Sequence, residues 1–272
     1  MLTFHKTLAG CEEGGRAAWQ GFVASYTPTM LRLLGVYAPT CNEERQKQVW
    51  QESLRLLCAD NFQRLRTLDH QSEREFIVHL RAFLLETGAN QLDPAADNRD
   101  APEPTPYTVK DLLKGLPLIH QLVLFLKLAG YSDGTLEGIL RITPTVAQSG
   151  LQRLQQRYAV ILKLERDGGL WPAAWMNLLR HAWANRTDAC PPLRQFARIL
   201  DGQTGWNEKE SVEKHTVGCL HCLERWAAVR EVTHWLRVTT PLPVDHVDVF
   251  LSEIPVKAEP RARTSLLKWM FG

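Results

Sequence analysis

Three cysteines and one histidine in the C-terminal third of the chain offer the clearest chemistry in the sequence. Cys190, His215, Cys219 and Cys222 follow the spacing C-x24-H-x3-C-x2-C. Zinc prefers thiolate sulfur and imidazole nitrogen, and it takes four such ligands in a closed tetrahedron when its role is structural. The pattern therefore predicts a Cys3His zinc site.

The same residues allow two other interpretations. A C-x-x-C pair also fits a redox centre, and reduced cysteines are often simply buried apolar side chains. A thioredoxin-like centre would follow a strand, whereas the residues around this motif have a helical pattern. Cys190 is the ligand for which the sequence offers nearby substitutes, namely His181, Asp188 and His221. We expect His221 itself to point to solvent.

The elements that must position these ligands are predicted to be helices. Residues 192–200 have the apolar period of a short helix, and Asp201-Gly202 ends it. Asn207, with Glu210 three residues later, predicts the cap of a second helix. The segment between Cys190 and the other ligands is therefore expected to form a helical hairpin that the metal closes at its base.

Two local geometries would bring the last three ligands together. A continuous helix from His215 to Cys222 would place them on one helical face. A break at Gly218 would instead produce a compact knuckle. The sequence does not decide between these two forms.

Composition sets further bounds on the protein. The chain has 272 residues, so we expect two or three domains. Its net charge is only +2, so we expect no globally basic nucleic-acid-binding surface. The N-terminal residues MLTFHKTLAGCEEGG lack a long apolar core, and no stretch reaches the roughly 18 apolar residues that a membrane span needs. A cytoplasmic protein without membrane contact is therefore expected.

No arrangement typical of an enzyme occurs at a useful spacing. The sequence lacks an evident pair of catalytic carboxylates, a nucleophile beside a base, and a Gly-rich phosphate loop. Asp245, His246 and Asp248 resemble a metal triplet, but they follow two prolines in a loop-like tail and are interpreted as solvated polar residues. We therefore predict a binding protein and not an enzyme.

Helical periodicity along almost the whole chain predicts an all-α fold, because apolar residues recur at spacings of three and four. The tryptophan-rich helix after residue 169 is expected to lie between the second module and the hairpin. The predicted segments are a helical module at 1–90, a proline-rich acidic linker at 91–107, a second, more basic helical module at 108–168, a third module with the zinc hairpin at 169–238, and a tail at 239–272.

The second module contains the apolar skeleton of a helix-turn-helix. Leu136, Ile139 and Leu140 precede a short turn, and Thr143-Pro144 is typical of the start of a helix. A second helix of this kind can enter the DNA major groove with its first turns at base edges. An ordinary helical corner would use the same skeleton. The candidate DNA-binding residues are Thr145, Gln148, Ser149, Gln152, Arg153 and Arg157.

Residues 128–157 are similar to the promoter minus-thirty-five-binding domain of bacterial extracytoplasmic-function sigma factors. That family has a Gly-x-Ser turn, a short helix, an Ile-Ser/Thr turn and a Thr-Val start of the recognition helix. The matching residues here are Gly130, Ser132, Ile142, Thr143, Thr145 and Val146. The resemblance extends, in order, over roughly residues 17–235.

The remaining modules resemble other parts of the same system. Val49-Trp50-Gln51-Glu52 is similar to the helix with which the family's first domain binds the polymerase β′ coiled coil. The resemblance implies polymerase contacts at Gln48, Trp50, Gln51 and Glu52. The Cys3His motif looks like that of a zinc-binding anti-sigma domain.

The resemblance implies two small sigma-type helical domains, at 1–90 and 108–168, followed by an anti-sigma-like zinc domain. The expected function is that of a transcription regulator that binds RNA polymerase core and promoter DNA. The fused zinc domain would modulate it through an intramolecular contact.

The sequence departs from the family pattern at positions that bear on this function. The stretch His79 to Glu86, HLRAFLLE, lacks most of the groups with which the family melts and reads the minus-ten element. Arg141 replaces the usual glycine of the turn, and Gly150 lies inside the predicted recognition helix. A second hypothesis is therefore a sigma-like interaction module that binds polymerase or another regulator without initiating transcription.

Overall fold

The computed structural model describes residues 3–39, 41–68, 70–91, 109, 113–158, 172–252 and 254–256, and at positions 151, 153–158 and 172–174 it describes the backbone only. The described residues form helices and contain no β-strand, which confirms the all-α prediction. The predicted linker at 91–107 lies outside the described residues except for Gln91, which ends a helix.

Twelve helices occur in the described parts of the chain. In chain order they are α1 (Phe4–Glu12), α2 (Arg16–Tyr37), α3 (Glu43–Thr67), α4 (Glu73–Gln91), α5 (Leu118–Leu128), α6 (Asp133–Leu140), α7 (Pro144–Tyr158), α8 (Pro172–Ala184), α9 (Leu193–Leu200), α10 (Trp206–Gly218), α11 (Leu220–Val238) and α12 (Val244–Leu251).

Helices α1 to α4 pack together around an aromatic core. Trp19 and Phe22 of α2 are buried, and their rings are 5.1 Å apart. Asn42 caps α3, because its side-chain oxygen accepts a hydrogen bond from the backbone of Arg45. Helix α3 has a local break at residues 59–62, where the backbone leaves the helical region.

Helices α5, α6 and α7 pack against one another as a three-helix unit. The short α6 ends at Leu140, and Arg141 follows with φ of +54°, a left-handed conformation that usually favours glycine. Helix α7 begins at Pro144, as the Thr143-Pro144 signal predicts. Two helices joined by a three-residue turn therefore occur where the helix-turn-helix is expected.

Helix α11 occupies the centre of the molecule. It packs against α2 and α4 of the first module, against α5 and α6 of the second, and against α8, α9 and α10 around it. The buried apolar residues of all these helices belong to one continuous core. The three predicted modules thus all meet at this helix.

Three local expectations need correction. Helix α10 begins at Trp206 after Gly205, so Asn207 is inside the helix and is not its cap. The tail contains the helix α12, which buries Phe250 and neighbouring apolar residues against the first module. The tryptophan-rich helix α8 reaches beyond the second module, because Trp175 stacks on Tyr37 of the first.

Candidate metal centre and surrounding surfaces

The four predicted metal ligands converge at one point in the fold. One potential ligand atom from each of Cys190, His215, Cys219 and Cys222 lies within 4.8 Å of all the others. These four groups form a cluster that can hold a metal ion. The sequence-predicted alternatives at His181 and Asp188 are not part of this cluster.

A break between two helices positions three of the ligands. His215 lies in the last turn of α10, and α10 ends at Gly218. Cys219 adopts an extended conformation with φ of −125° and ψ of 109°, and Cys222 lies in the first turn of α11. The compact knuckle is therefore the form present, and the continuous helix from 215 to 222 is not.

The fourth ligand comes from a turn before α9. The backbone N–H of Cys190 donates to the carbonyl of Thr187 at 3.0 Å, which closes the turn. The backbone N–H of Thr187 in turn donates to the Cys190 sulfur at 3.3 Å. Hydrogen bonds of this kind orient a thiolate ligand and stabilise its negative charge.

The dimensions of the cluster fit a tetrahedral ion. The sulfurs of Cys190 and Cys219 are 3.7 Å apart. A zinc–sulfur bond of about 2.3 Å implies a sulfur–sulfur edge of about 3.8 Å in a regular tetrahedron. The Nε2 atom of His215 is buried and has no hydrogen-bond partner in the described part of the protein. A bound cation would satisfy this nitrogen.

The cluster also favours a thiolate. A hydrogen bond from Cys222 is the main cause that lowers the pKa of Cys219 to about 4, with a further contribution from Cys190, and partial burial opposes it. The same interaction, together with burial, raises the pKa of Cys222. Metal binding would displace the protons that remain on these thiols. A redox pair needs only two sulfurs, so the third sulfur and the imidazole favour metal binding.

His221 differs from its predicted position. Its side chain is buried, and its Nδ1 lies 3.1 Å from the carbonyl oxygen of Ala182 in α8. The residue lies between two ligands in sequence, but α11 directs it away from them toward the neighbouring helix. The expectation that His221 points to solvent is therefore wrong.

The leading face of α7 is open to solvent. Thr145, Gln148, Ser149 and Gln152 are exposed, whereas Ala147 is buried against the rest of the three-helix unit. The side chains of Arg153 and Arg157 lie outside the described residues. The candidate base-reading residues that are described thus share one accessible face.

The residues predicted to contact polymerase do not all lie at the surface. Gln48 is exposed, and Gln51 and Glu52 are partly exposed. Trp50 is fully buried, and its indole donates a hydrogen bond of 2.8 Å to Thr27. The assignment of Trp50 as a contact is therefore corrected, because it is a core residue that supports this face of α3.

A buried ionic network, which the sequence did not reveal, connects the three modules. Arg81 is 1% exposed and pairs with Glu224 at 2.8 Å and also with Glu231, both of which are fully buried. The hydroxyl of Tyr37 donates to Glu231 at 2.5 Å, and the hydroxyl of Tyr131 donates to the same carboxylate. We call these five residues the buried network.

Each module contributes to the buried network. Tyr37 and Arg81 belong to the first module, Tyr131 to the second, and the two glutamates to α11. Burial raises the pKa of both tyrosines, so that both hydroxyls remain donors. The two glutamates, seven residues apart on α11, were the available sequence signal, but their partners in the buried network are 100 to 194 residues away.

No helix in the described parts of the chain has the length and apolar character needed to cross a membrane. No protein family, curated protein or solved structure matches this chain.

Proposed function

We propose that this chain is a sigma-factor-like transcription regulator whose fused zinc domain holds two sigma-type modules in a closed arrangement. Its partners would be RNA polymerase core and promoter DNA, and its site of action the cytoplasm. The observation that carries the proposal is the buried network, because it joins the helix that follows the metal ligands to both modules with sigma-like sequence features.

Zinc is the ion that this donor set favours. Three sulfurs and one imidazole, with no fifth ligand group in the cluster among the described residues, suit a closed tetrahedral site, and hard cations such as Mg²⁺ prefer oxygen. A bound zinc ion would fix the hairpin of α9 and α10 to the start of α11. It would therefore support the helix on which the modules converge.

The proposed regulation follows from what α11 covers. In the family that the sequence resembles, the helix near residues 79–86 contacts the minus-ten element. Here α11 packs against that helix, and Arg81 points into the buried network. The carbonyl of Val249 in α12 also accepts a hydrogen bond from Gln51, one of the proposed polymerase contacts. Release of the C-terminal domain would uncover both surfaces.

The exposed face of α7 indicates which step this closure would control. Its described candidate residues are accessible in the closed arrangement, so contact with the minus-thirty-five element is not blocked at those side chains. Closure would instead restrict polymerase binding and promoter opening. Loss of metal or oxidation of the thiolates is the proposed trigger for release.

A binding experiment with core RNA polymerase tests the proposal. We expect the zinc-loaded protein to bind polymerase weakly, and the metal-free Cys219→Ser variant to bind more tightly because α11 is no longer supported. Cys41→Ser is the matched control, since Cys41 is partly buried and lies outside the metal cluster. Absence of polymerase binding by all three proteins would refute the proposal. Unchanged zinc content and polymerase binding after peroxide treatment would refute the oxidative trigger.

A second candidate function is that of an interaction module that does not initiate transcription. The observation in its favour is the position of Arg81, the only arginine of the stretch 79–86, which is committed to two buried ion pairs. Reconstituted transcription separates the two candidates. Promoter-dependent transcripts support an active sigma factor, whereas polymerase binding without transcripts supports the interaction module.

A further inference from the structure

A solvent-accessible cleft lies on the first module, between α3 and α4. It contains about 490 Å³ of space, within the range of about 300–1,000 Å³ that is typical of ligand sites. Leu56 and Phe83 provide apolar surface in it, and the guanidinium of Arg64 lies 5.4 Å from the centroid of the Phe83 ring. The break of α3 at residues 59–62 lies in one wall. A cleft of this size can accept a large side chain.

The lining of the cleft carries an acidic excess. Glu52, Asp60 and Glu86 line it, and Arg64 is the only basic residue among its described lining residues. Arg55 compensates Glu52, because its Nε donates to the Glu52 carboxylate at 2.6 Å. Neither Asp60 nor Glu86 has an ion-pair partner among the described residues. Three carboxylates therefore meet two arginines, and a basic group would restore the balance.

The last described residues of the chain lie close to this cleft. Gln51, next to Glu52 on α3, donates a hydrogen bond of 3.3 Å to the carbonyl of Val249 in α12. Val256 is the last described residue, and the seven residues from Val249 to it span at most about 25 Å. The ten residues that lead on to Leu266 span about 33 Å when extended. The chain beyond Leu266 can therefore return to the cleft.

Residues 257–272 have the composition that the cleft requires. Their sequence, KAEPRARTSLLKWMFG, contains four basic residues and one glutamate. Five of the six residues from 266 to 271 are apolar, and Trp269 is the largest of them. Tryptophan is among the side chains that most often carry the binding energy of an interface. The segment thus combines positive charge with an apolar anchor.

The linker after α4 fits the same cleft less well. Gln91 lines the cleft, and the linker follows it directly. Residues 92–108 contain four carboxylates and one arginine, a net charge of −3. Like charges oppose its entry into an acidic cleft. Charge complementarity therefore favours residues 257–272.

We propose that residues 257–272 of this chain dock in the cleft between α3 and α4. Trp269 supplies the apolar anchor against Phe83, and the basic side chains compensate Asp60 and Glu86. Because the segment is tethered beside the cleft, its effective concentration is high and modest contacts suffice. The docking does not depend on the proposed sigma-like function, and its tests need neither polymerase nor DNA.

Limited trypsin digestion of the full chain tests the anchor. Cleavage after Arg263, followed by mass spectrometry, reports release of the segment, because this bond lies six residues before Trp269. Trp269→Ala should speed this cleavage at least about tenfold, the effect of losing one interface anchor. Trp206→Ala is the matched control, since Trp206 is 73% exposed on α10 and its loss should leave the rate unchanged.

Glu86→Lys tests the charge in the same assay. Reversal of this partly exposed charge should speed cleavage after Arg263 about fivefold, the upper effect of one exposed ion pair. Glu210→Lys, at an exposed glutamate on α10, is the matched control. A Tm equal to that of the control shows that the first module stays folded. The docking is refuted if Trp269→Ala or Glu86→Lys is cleaved at the rate of its control.

Zero-length coupling identifies the occupant of the cleft. A carbodiimide condenses the Lys268 amine with a carboxylate that touches it, so that an amide forms and the carbodiimide takes up the released water as a urea. We expect an amide from Lys268 to Asp60 or Glu86 within one chain. Lys268→Arg keeps the charge and should lose this product. Coupling only between two chains, or no product at the cleft carboxylates, would overturn the proposal.

Discussion

Replacement of Arg81 by methionine should strongly destabilise the closed protein. Methionine has a similar length and no charge, so the substitution leaves little cavity. It removes the only cation bonded to Glu224 and Glu231 inside the buried network, since Arg225 is 3.8 Å from Glu224 and partly exposed. Two fully buried carboxylates would then lack their main partner. The effect therefore reports on charge compensation and not on packing.

The expected loss follows from measured values for buried ion pairs. Removal of one partner of such a pair typically costs about 3–5 kcal/mol, because the other charge stays buried without compensation. A change of 1 kcal/mol shifts the Tm of a chain of this size by roughly 2–4 °C. We therefore expect the Tm of Arg81→Met to fall by about 10 °C.

Urea and thermal unfolding followed by circular dichroism provide the assay. Arg32→Met is the matched control, because Arg32 is exposed and the same substitution there should change stability by less than about 0.5 kcal/mol. Limited proteolysis should cut Arg81→Met faster than the control. A loss below 1 kcal/mol for Arg81→Met would refute the argument that the network holds the modules together.

A compensating variant sharpens this test. Arg81→Met combined with Glu224→Gln and Glu231→Gln removes the charges on both sides of the network. The triple variant should be more stable than Arg81→Met alone, since neutral amides cost less to bury than unpaired carboxylates. If the triple variant is the less stable of the two, uncompensated charge is not the cause of the loss.

Three further predictions concern the metal, the tyrosines and a helix contact. Cys219→Ser should lose its zinc in metal analysis and at least about 4 kcal/mol of stability at zinc concentrations 1,000 times the Kd, while Cys41→Ser keeps both. In an alkaline titration followed by ultraviolet absorbance, Tyr37 and Tyr131 should not ionise near pH 10 in the folded protein, because burial and Glu231 raise the pKa of both hydroxyls. The free energy of folding that these raised pKa values contribute is present below pH 10 and is lost as the pH rises further. Ionisation of all tyrosines near pH 10 without unfolding would contradict this. Gly138→Ala should lower the free energy of unfolding in urea by about 1–3 kcal/mol, since its new Cβ would lie 2.8 Å from an imidazole carbon of His234 in α11. Gly134→Ala is the matched control: its Cβ meets no atom within 4 Å, so it should raise the free energy of unfolding by up to about 1 kcal/mol.

The metal ligands could be predicted because local geometry brings most of them together. His215, Cys219 and Cys222 lie within eight residues, so either a helical turn or a knuckle places them at one point. The break at Cys219 could not be predicted, because the helical pattern continues on both sides of it. The position of Cys190 depends on how α9 and α10 fold back, which its spacing in sequence does not specify.

The buried network was not predictable from periodicity. A charged residue on a helix usually lies on the solvated face, and Arg81, Glu224 and Glu231 violate that rule only because they meet in the folded protein. Trp50 shows the converse problem. The other predicted polymerase contacts, Gln48, Gln51 and Glu52, are exposed or partly exposed, but Trp50 faces the core from its position on α3.

The central position of α11 has a consequence for dissection of the protein. A fragment that ends at residue 158 would lack the helix that covers apolar surface on α2, α4, α5 and α6. Such a fragment would self-associate through the uncovered apolar surface. A change in its activity would therefore reflect this self-association as much as the loss of inhibition by the C-terminal domain. Point substitutions that loosen α11 in place preserve the full chain, and they are the cleaner means of separating inhibition from folding.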